Sequence, residues 1–314
     1  MVKVAVNIVT FNSAREIAAC LDSIQKQTFQ NIGIHIFDNA SSDDTLKVIS
    51  SFDIDYLKHS SVNTGFCRAH NDLVRRFPSE YVLFLNPDTI LQSVFIEELV
   101  RALDVRPDAA SASGKLLRLD GKTLDSTGII MLREQRHLDR GADQIDEGQF
   151  ENAEDIFGPS GAAALFRRTA LEDVAIGDQY FDEDFFAYRE DADLAWRCRL
   201  LGWKSIYVPS AIARHRRRVT PERRGELPKE INYHSVKNRF LLRINNMTGN
   251  MYWRHFWSIT KRDAAVVGYV LLREHSSIPG LWYPVRNFRR LFEKRRTIQS
   301  RCRIHPAELE KWFL

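Results

Sequence analysis

Four short apolar runs, each closed by polar residues and each followed by a helical pattern, occupy the first part of the chain: Val2–Val9, Ile32–Phe37, Ile54–Leu57 and Tyr81–Leu85. The last is five apolar residues in succession, which reads as a strand buried on both faces. Behind the first run, Ile17, Cys20, Leu21 and Ile24 recur at helical spacing. Ser13 with Glu16 three residues on reads as a capping box for that helix. Further helices are expected from Thr45 to Ser51, through Arg68–Arg76 and over Val94–Leu103. Such alternation predicts a parallel, doubly wound sheet. Right-handed crossovers then place Thr10, Asp38 and Asp88 along one sheet edge, the edge where open α/β sheets bind ligands.

Asp88 follows Asn86-Pro87, and proline ends the strand because it cannot donate to a ladder. A solvated turn aspartate and a ligand-binding carboxylate both fit Asp88 taken alone. Three polar strand exits on one edge favour a nucleotide-type crevice. Neither G-x-G-x-x-G nor G-x-x-x-x-G-K-[ST] follows the first strand. A bound diphosphate therefore needs another counter-charge, for which magnesium or manganese on Asp88 is the candidate.

Beyond Ala109 the alternation loosens. The polar, mostly acidic stretch 133–155 is expected to be a mobile loop or an insertion over the site. Gly158-Pro159-Ser160-Gly161-Ala162 then turns into a strand; the small residues suit either a close ligand or a tight turn. Residues 181–197 pack six carboxylates among five aromatics. Leu194, Ala195, Cys198 and Leu201 continue at helical spacing to Gly202, so Glu190 and Asp191 fall in a first helical turn, where the dipole favours negative charge. A carboxylate beside aromatic rings is partly desolvated and more basic, as a general base must be. The strand Trp203–Pro209 leads to Arg214-His215-Arg216-Arg217-Arg218. There His215 is either part of a solvated basic patch or a metal or diphosphate contact.

In order along the chain, the matching pieces are Thr10-Phe11-Asn12, Asp38-Asn39-Ala40-Ser41-Ser42-Asp43, Asn63-Thr64-Gly65-Phe66 with Asn71, and Asn86-Pro87-Asp88. They continue with Gly161-Ala162, Phe181-Asp182-Glu183 with Phe185-Phe186, Glu190-Asp191 with Asp193-Leu194, and His215. This ordered set, over roughly residues 1–245, resembles the glycosyltransferase family 2 enzymes, and within them the bacterial rhamnosyltransferase-like members. The resemblance implies an α/β fold of the GT-A type, a parallel-rich nucleotide-binding sheet flanked by helices. Residues 1–230 would be catalytic, with a nucleotide-sugar half at 1–105 and an acceptor half at 106–230. Residues 231–314 would form a helical, basic and aromatic extension.

The resemblance also implies the roles. Thr10, Phe11, Asn12, Asp38, Asn63, Gly65, Asn86 and Asp88 would bind the donor, with Asp38 on the base or ribose. Gly161, Ala162 and Tyr188 would meet the acceptor. Asp191 would be the general base and Glu190 its support. Asp88 would match the last position of the family's Asp-x-Asp metal motif, with Asn86 replacing the first aspartate, so magnesium or manganese would rest on Asp88 and His215. One displacement with one base implies inversion. The Asn-Pro-Asp form points to dTDP-L-rhamnose as donor, with UDP- and GDP-sugars as alternatives. A glycan or polyprenyl-diphosphate-linked acceptor of bacterial cell-surface polysaccharide synthesis follows from the same likeness.

Composition sets the surroundings. The 314 residues suffice for one large or two small domains, and 44% apolar with 27% charged residues is ordinary for a soluble globular protein. No secretory pattern opens the chain, no apolar run spans a bilayer, and Cys20, Cys67, Cys198 and Cys302 form no CxxC pair. A cytoplasmic protein without structural zinc or disulfides is expected. Residues 211–314 hold 23 Lys+Arg against 8 Asp+Glu, whereas residues 1–210 hold 22 against 33. In that basic tail Trp253, Phe256, Trp257, Trp282, Tyr283, Phe288 and Phe292 are interleaved with Arg286, Arg289, Arg290, Lys294, Arg295 and Arg296. The pattern suits a helix lying on an anionic membrane surface, at the inner face of the cell membrane. A helical cap packed on the catalytic domain is the other reading. Nucleic-acid binding would need a steep salt dependence and leaves the acidic clusters unexplained, so no nucleic-acid partner is expected.

Overall fold

The computed structural model describes residues 2–217 and 227–314; Arg218, the last arginine of the run around His215, lies outside the described residues. In chain order the strands are β1 (Val4–Thr10), β2 (Ile32–Asp38), β3 (Tyr56–His59), β4 (Tyr81–Leu85), β5 (Thr89–Leu91), β6 (Ala109–Leu117), β7 (Leu124–Ser126), β8 (Ile129–Met131), β9 (His137–Asp139), β10 (Glu154–Asp155), β11 (Ala163–Arg167) and β12 (Lys204–His215). The helices are α1 (Ile17–Gln25), α2 (Thr45–Ile49), α3 (Phe66–Arg76), α4 (Phe95–Asp104), α5 (Arg168–Val174), α6 (Glu190–Leu200), α7 (Lys229–Asn246), α8 (Gly249–Arg254), α9 (Phe256–Arg273), α10 (Ile278–Arg286), α11 (Phe288–Ser300) and α12 (Pro306–Glu310).

One sheet carries the order β10-β12-β6-β11-β4-β1-β2-β3. β1 pairs in parallel with β2 and β4, and β2 with β3. Thr10 lies directly opposite Asp38, as the crossover rule requires of two strand exits on one edge. β11 breaks the parallel pattern: it runs antiparallel to both β4 and β6, so the sheet is mixed. Residues 158–162 arrive at the carboxyl end of β4, where the Asn86 amide donates to the Ala162 carbonyl at 2.9 Å. From there the chain can only run back down the sheet. That return places Gly161 on the ligand edge.

Period-two alternation divides β4 between two cores. Tyr81, Leu83 and Leu85 pack with Ile17, Leu21 and Leu99 of α1 and α4. Val82 and Phe84 face the other way, with Phe166, Phe181 and Leu194. Each such fully buried side chain contributes roughly 1.5–3 kcal/mol, so both faces of the strand carrying Asp88 are anchored. The expected capping box does not form. α1 starts at Ile17 without a side-chain cap. Ser13 instead donates its amide to Thr45 Oγ1 at 2.7 Å, tying the first loop to α2.

Residues 133–155 carry strand pairing and ion pairs of their own. Lys115, only 3% exposed, pairs with Asp146 at 3.0 Å and Glu151 at 2.5 Å, while Arg140 pairs with Glu154 at 2.5 Å. The segment also carries β9, which pairs with β8. At the other end of the chain, the extension is helical throughout α7–α12, and α7 packs on α6, α10 and α11.

Candidate active site

The loops after β1, β2 and β3 interlock through polar side chains. Asp38 is fully buried. Its carboxylate accepts from Thr10 Oγ1 at 2.8 Å, the Ser41 amide at 3.0 Å and Ser41 Oγ at 2.5 Å, and lies 2.9 Å from His59 Nδ1. Those partners occupy both oxygens, so a base or ribose contact from Asp38 requires one bond to be exchanged. Asn12 sits at φ 51 and accepts the Ser42 amide at 2.8 Å. Asn39 accepts from the Thr64 amide and donates to the Gly65 carbonyl; Asn63 accepts the Gly65 amide at 3.0 Å. Gly65 needs its φ of +87 and its missing side chain, since a Cβ there would lie 2.6 Å from the Phe186 ring. Phe11, half exposed at 50%, offers apolar surface on this edge.

Asp88 stands beside His215. Antiparallel pairing of β5 with β12 sets Thr89 opposite His215 and so delivers the ring to the strand exit. His215 Nε2 lies 3.3 Å from Asp88 Oδ1, and Nδ1 lies 2.8 Å from Asp125 Oδ2. Carboxylates only accept, so both ring nitrogens carry protons in this arrangement. Burial opposes the charged ring, but the hydrogen bonds to Asp125 and Asp88 outweigh it and raise its pKa to about 9. Asp125 is fully buried and also ion-pairs with Arg118 at 3.1 Å and Arg217 at 3.0 Å. Nothing in the sequence around Leu124-Asp125-Ser126 signalled this residue.

The Asp88–His215 pair fits one side of a divalent ion. Adjacent ligands on an octahedral ion with bonds of about 2.1 Å stand about 3 Å apart, close to the 3.3 Å seen. A ligating imidazole also keeps its other N–H on a carboxylate, as Asp125 provides. Asp88 and His215 would supply two donors to such an ion, and phosphate oxygens and water would have to supply the rest. Among the described residues no group of three or more His, Cys, Asp or Glu side chains is placed to hold a metal by itself.

Glu190 and Asp191 open α6 after an unusual approach. Phe186, Tyr188 and Arg189 sit at φ 66, 71 and 70, a left-handed region costing non-glycine residues roughly 1–3 kcal/mol each. The Gly161 amide donates to Asp191 Oδ2 at 3.0 Å and the Ala192 amide to Oδ1 at 2.7 Å. Burial and then the charge of Asp139 raise the Asp191 pKa against these two N–H groups and Arg217. Glu190 is raised by burial first and by Asp191 second. Its Oε2 is buried with no hydrogen-bond partner among the described residues. Of two adjacent carboxylates, Asp191 is held by the Gly161 and Ala192 amides while Glu190 keeps one buried oxygen unpaired, which favours a state in which Glu190 holds the proton and Asp191 is ionised.

The two acidic centres share one frame. Asn86 and Asp191 are joined through Ala162 and Gly161, the first by its carbonyl and the second by its amide. Arg217 links them again, pairing with Asp125 at 3.0 Å and with Asp139 at 2.5 Å. Ala162 itself is 4% exposed and packs in the core, so it supports the site from beneath and offers no surface to an acceptor. Gly161, whose amide meets Asp191, is partly exposed, and so is Tyr188, three residues before Asp191 in the chain.

A family model described as glycosyl transferase family 2 matches residues 5–175, more than half of the chain. The chain belongs to glycosyl transferase family 2. This family-2 enzyme is a glycosyltransferase, and the curated relatives agree. It is 28% identical over 236 residues to the Mycobacterium tuberculosis N-acetylglucosaminyl-diphospho-decaprenol L-rhamnosyltransferase, covering 66% of this chain and 74% of that protein. It is 23% identical over 276 residues to the Staphylococcus epidermidis poly-beta-1,6-N-acetyl-D-glucosamine synthase, covering 85% of this chain and 60% of that one. Among solved structures, S. aureus TarS 1-349 in complex with UDP-GlcNAc superposes with a TM-score of 0.59 at 16% identity, over 95% of this chain and 90% of that one. The Pyrobaculum calidifontis mannosyltransferase PcManGT with GDP-Man and Mn2+ gives 0.55 at 16% identity, over 96% and 84%. These superpositions establish the GT-A-like fold.

Proposed function

We propose that this glycosyltransferase is an inverting rhamnosyltransferase that moves L-rhamnose from dTDP-L-rhamnose to a hydroxyl of a lipid-linked glycan. The observation that carries the reading is the Asp191 carboxylate, fixed by the Gly161 amide at 3.0 Å and tied through Ala162 to Asn86-Pro87-Asp88. Each carboxylate oxygen has two lone-pair directions, so Asp191 keeps a site for an incoming hydroxyl proton while its amide bonds persist. As the acceptor oxygen bonds to the anomeric carbon, its proton passes to Asp191. The bond from that carbon to the diphosphate breaks, and the electron pair leaves with the diphosphate. Asp88 and His215, the latter once deprotonated on Nε2, would hold magnesium or manganese, which when bound supplies charge compensation to the leaving diphosphate. Attack and departure on opposite faces of one carbon give inversion.

The donor assignment is supported by the Asn86-Pro87-Asp88 form and by the mycobacterial relative, whose name gives L-rhamnose and a polyprenyl-diphosphate acceptor. A UDP-sugar donor is the second reading, favoured by the likeness to TarS with UDP-GlcNAc. Binding of dTDP, UDP and GDP, each with and without Mn2+, separates them. Tight Mn2+-dependent binding of dTDP is expected. A preference for UDP or GDP retires the rhamnose donor and keeps the enzyme class.

A lipid-linked acceptor requires approach to a membrane. Among the described residues no helix is long and apolar enough to cross one. The extension instead exposes Trp253 at 72%, Trp257 at 80% and Trp282 at 55%, with Phe288 and Phe292 also exposed. Arg254, Lys261, Arg262, Arg286 and Arg289 lie on the same helices. Aromatic side chains beside cations support peripheral docking on an anionic surface.

A further inference from the structure

The segment that delivers the base is held by the C-terminal extension. Asn238, on α7 and fully buried, brings its side-chain Nδ2 to 2.9 Å from the Phe185 carbonyl, 2.8 Å from that of Ala187 and 2.7 Å from that of Tyr188. Three carbonyls can be faced only by the NH2 end of an amide, which fixes its orientation. The remaining carbonyl of the stretch, Phe186, accepts the Cys67 amide at 3.0 Å, from α3 just after Gly65. Every carbonyl from Phe185 to Tyr188 is thereby bound by a group outside the segment. The Phe186 ring lies between Gly65 and His234, stacked on the latter with ring centres 4.7 Å apart. Neighbouring Lys237 donates to the Asp184 carbonyl at 2.5 Å.

We infer that Asn238 is a positioning residue: its amide holds the left-handed turns of Phe186, Tyr188 and Arg189 that set where α6 begins, and so where Asp191 stands relative to the donor loop. This rests on Asp191 being the base. The turns are unfavourable alone; the Phe185 carbonyl also accepts the Ala187 amide at 2.8 Å, so Asn238 acts chiefly on the Ala187 and Tyr188 carbonyls. Without the amide the segment relaxes, water reaches the Glu190–Asp191 pair, and the base leaves its place. The pair is faced by Asp139 and Arg217 on the Asp191 side and by Asp193 and Cys67 on the Glu190 side. None of these groups replaces the three lost contacts.

The test compares Asn238→Asp, which keeps the shape and removes both donors, with Asn238→Ala, read where the buried charge of the first prevents folding. Asp263→Asn serves as a control. It loosens the Arg239 and Arg243 pairs of α7, at 3.2 and 2.7 Å, without touching the segment. Three readouts are taken: amide hydrogen exchange over residues 185–192, the carboxyl 13C titration of Glu190, and turnover of whichever nucleotide sugar the wild-type enzyme uses. In the Asn238 variants exchange over the segment should rise and the Glu190 titration should move down towards an ordinary carboxylate. Turnover should fall on the order of 10²-fold, the scale of a 1 Å misplacement, with nucleotide binding unchanged. Asp263→Asn should show none of the three. Wild-type exchange and titration in both Asn238 variants overturn the inference, as does a control that matches them. Asp191→Asn, measured alongside, separates the two claims. If it retains full turnover the base assignment falls and takes this inference with it; if it is inactive while the Asn238 variants behave as wild type, only the positioning role falls.

Discussion

The donor edge and the base segment are built in opposite ways. Around the donor edge the polar bonds join one loop to the next: Thr10 to Asp38 across 28 residues, Asn39 to Thr64 across 25. Around the base they reach across the chain. Asp182 meets Lys294 at 112 residues' separation, Asp184 meets Tyr283 at 99, and Asn238 reaches Phe185 at 53. The loops after β1, β2 and β3 therefore hold one another, with Asp88 alone tied to the distant His215, whereas the segment leading to Asp191 is tied to the helical extension. The difference predicts that donor binding and turnover respond separately to substitution.

The largest separation is expected for Asp191→Asn, which removes the proton acceptor and keeps the shape. Turnover should fall by about 10²–10⁴-fold, the range for a general base, with nucleotide affinity unchanged by titration calorimetry. Parallel loss of both would merge the two regions into one unit. A smaller effect with the opposite signature is expected at Asp125→Asn. The carboxylate that orients His215 is lost, and about 10–100-fold in metal affinity should go with it, read as a weaker Mn2+ dependence of nucleotide binding. Unchanged Mn2+ dependence would remove His215 from the ligand set.

How far the sequence revealed each region follows from the same contrast. The strand exits at Thr10, Asp38 and Asp88 were legible because alternation along a parallel sheet forces them to one edge. Glu190 and Asp191 were legible as a pair at a helix start; burial raises both, and Phe66, Phe84, Phe166 and Phe181 line the cavity they share. Asp125 was not, since its role comes from a short strand paired antiparallel to β6, a register that no local pattern encodes. Asn238 was not legible either, because three carbonyls 50 to 53 residues away give it its meaning. The antiparallel return of β11 was likewise invisible, being set by where the loop before it meets β4. Ser13 and Glu16 carry the letters of a capping box, yet Thr45 captures the Ser13 amide.

Glu190→Gln tests the base pair by stability, with a smaller effect. A carboxyl whose pKa is raised on folding binds a proton as the chain folds, at any pH between its ordinary and its raised value. Stability from that proton is fully present below the ordinary carboxylate range and declines as pH rises through the window. Glutamine cannot ionise, so denaturant unfolding of Glu190→Gln should be flatter with pH across that window, and the variant should be the more stable of the two at neutral pH. An unchanged pH slope would mean that Glu190 is ionised in the folded enzyme and that the pair does not divide the proton as described.

The smallest effect on the fold is expected where the extension turns away from the catalytic segment. α7, α10 and α11 hold the base loop through Asn238, Tyr283, Arg290 and Lys294, but Trp253 and Trp257 project from α8 and α9 with 72% and 80% of their surface exposed. Both rings meet Phe256, and Trp253 also meets Tyr252, but they are mostly exposed, and substitutions at such surface positions change stability by about 0.5 kcal/mol or less. A double Trp253→Ser, Trp257→Ser variant should therefore keep its melting temperature and its nucleotide affinity. Its sedimentation with vesicles containing anionic phospholipid should drop, because indole rings and cations act together at an interface and the cations alone are screened by salt. If the double variant melts early, the two rings belong to the packing that supports the base and the extension has one role. If it melts normally and still sediments, docking rests on Trp282, Phe288 and Phe292 of α10 and α11.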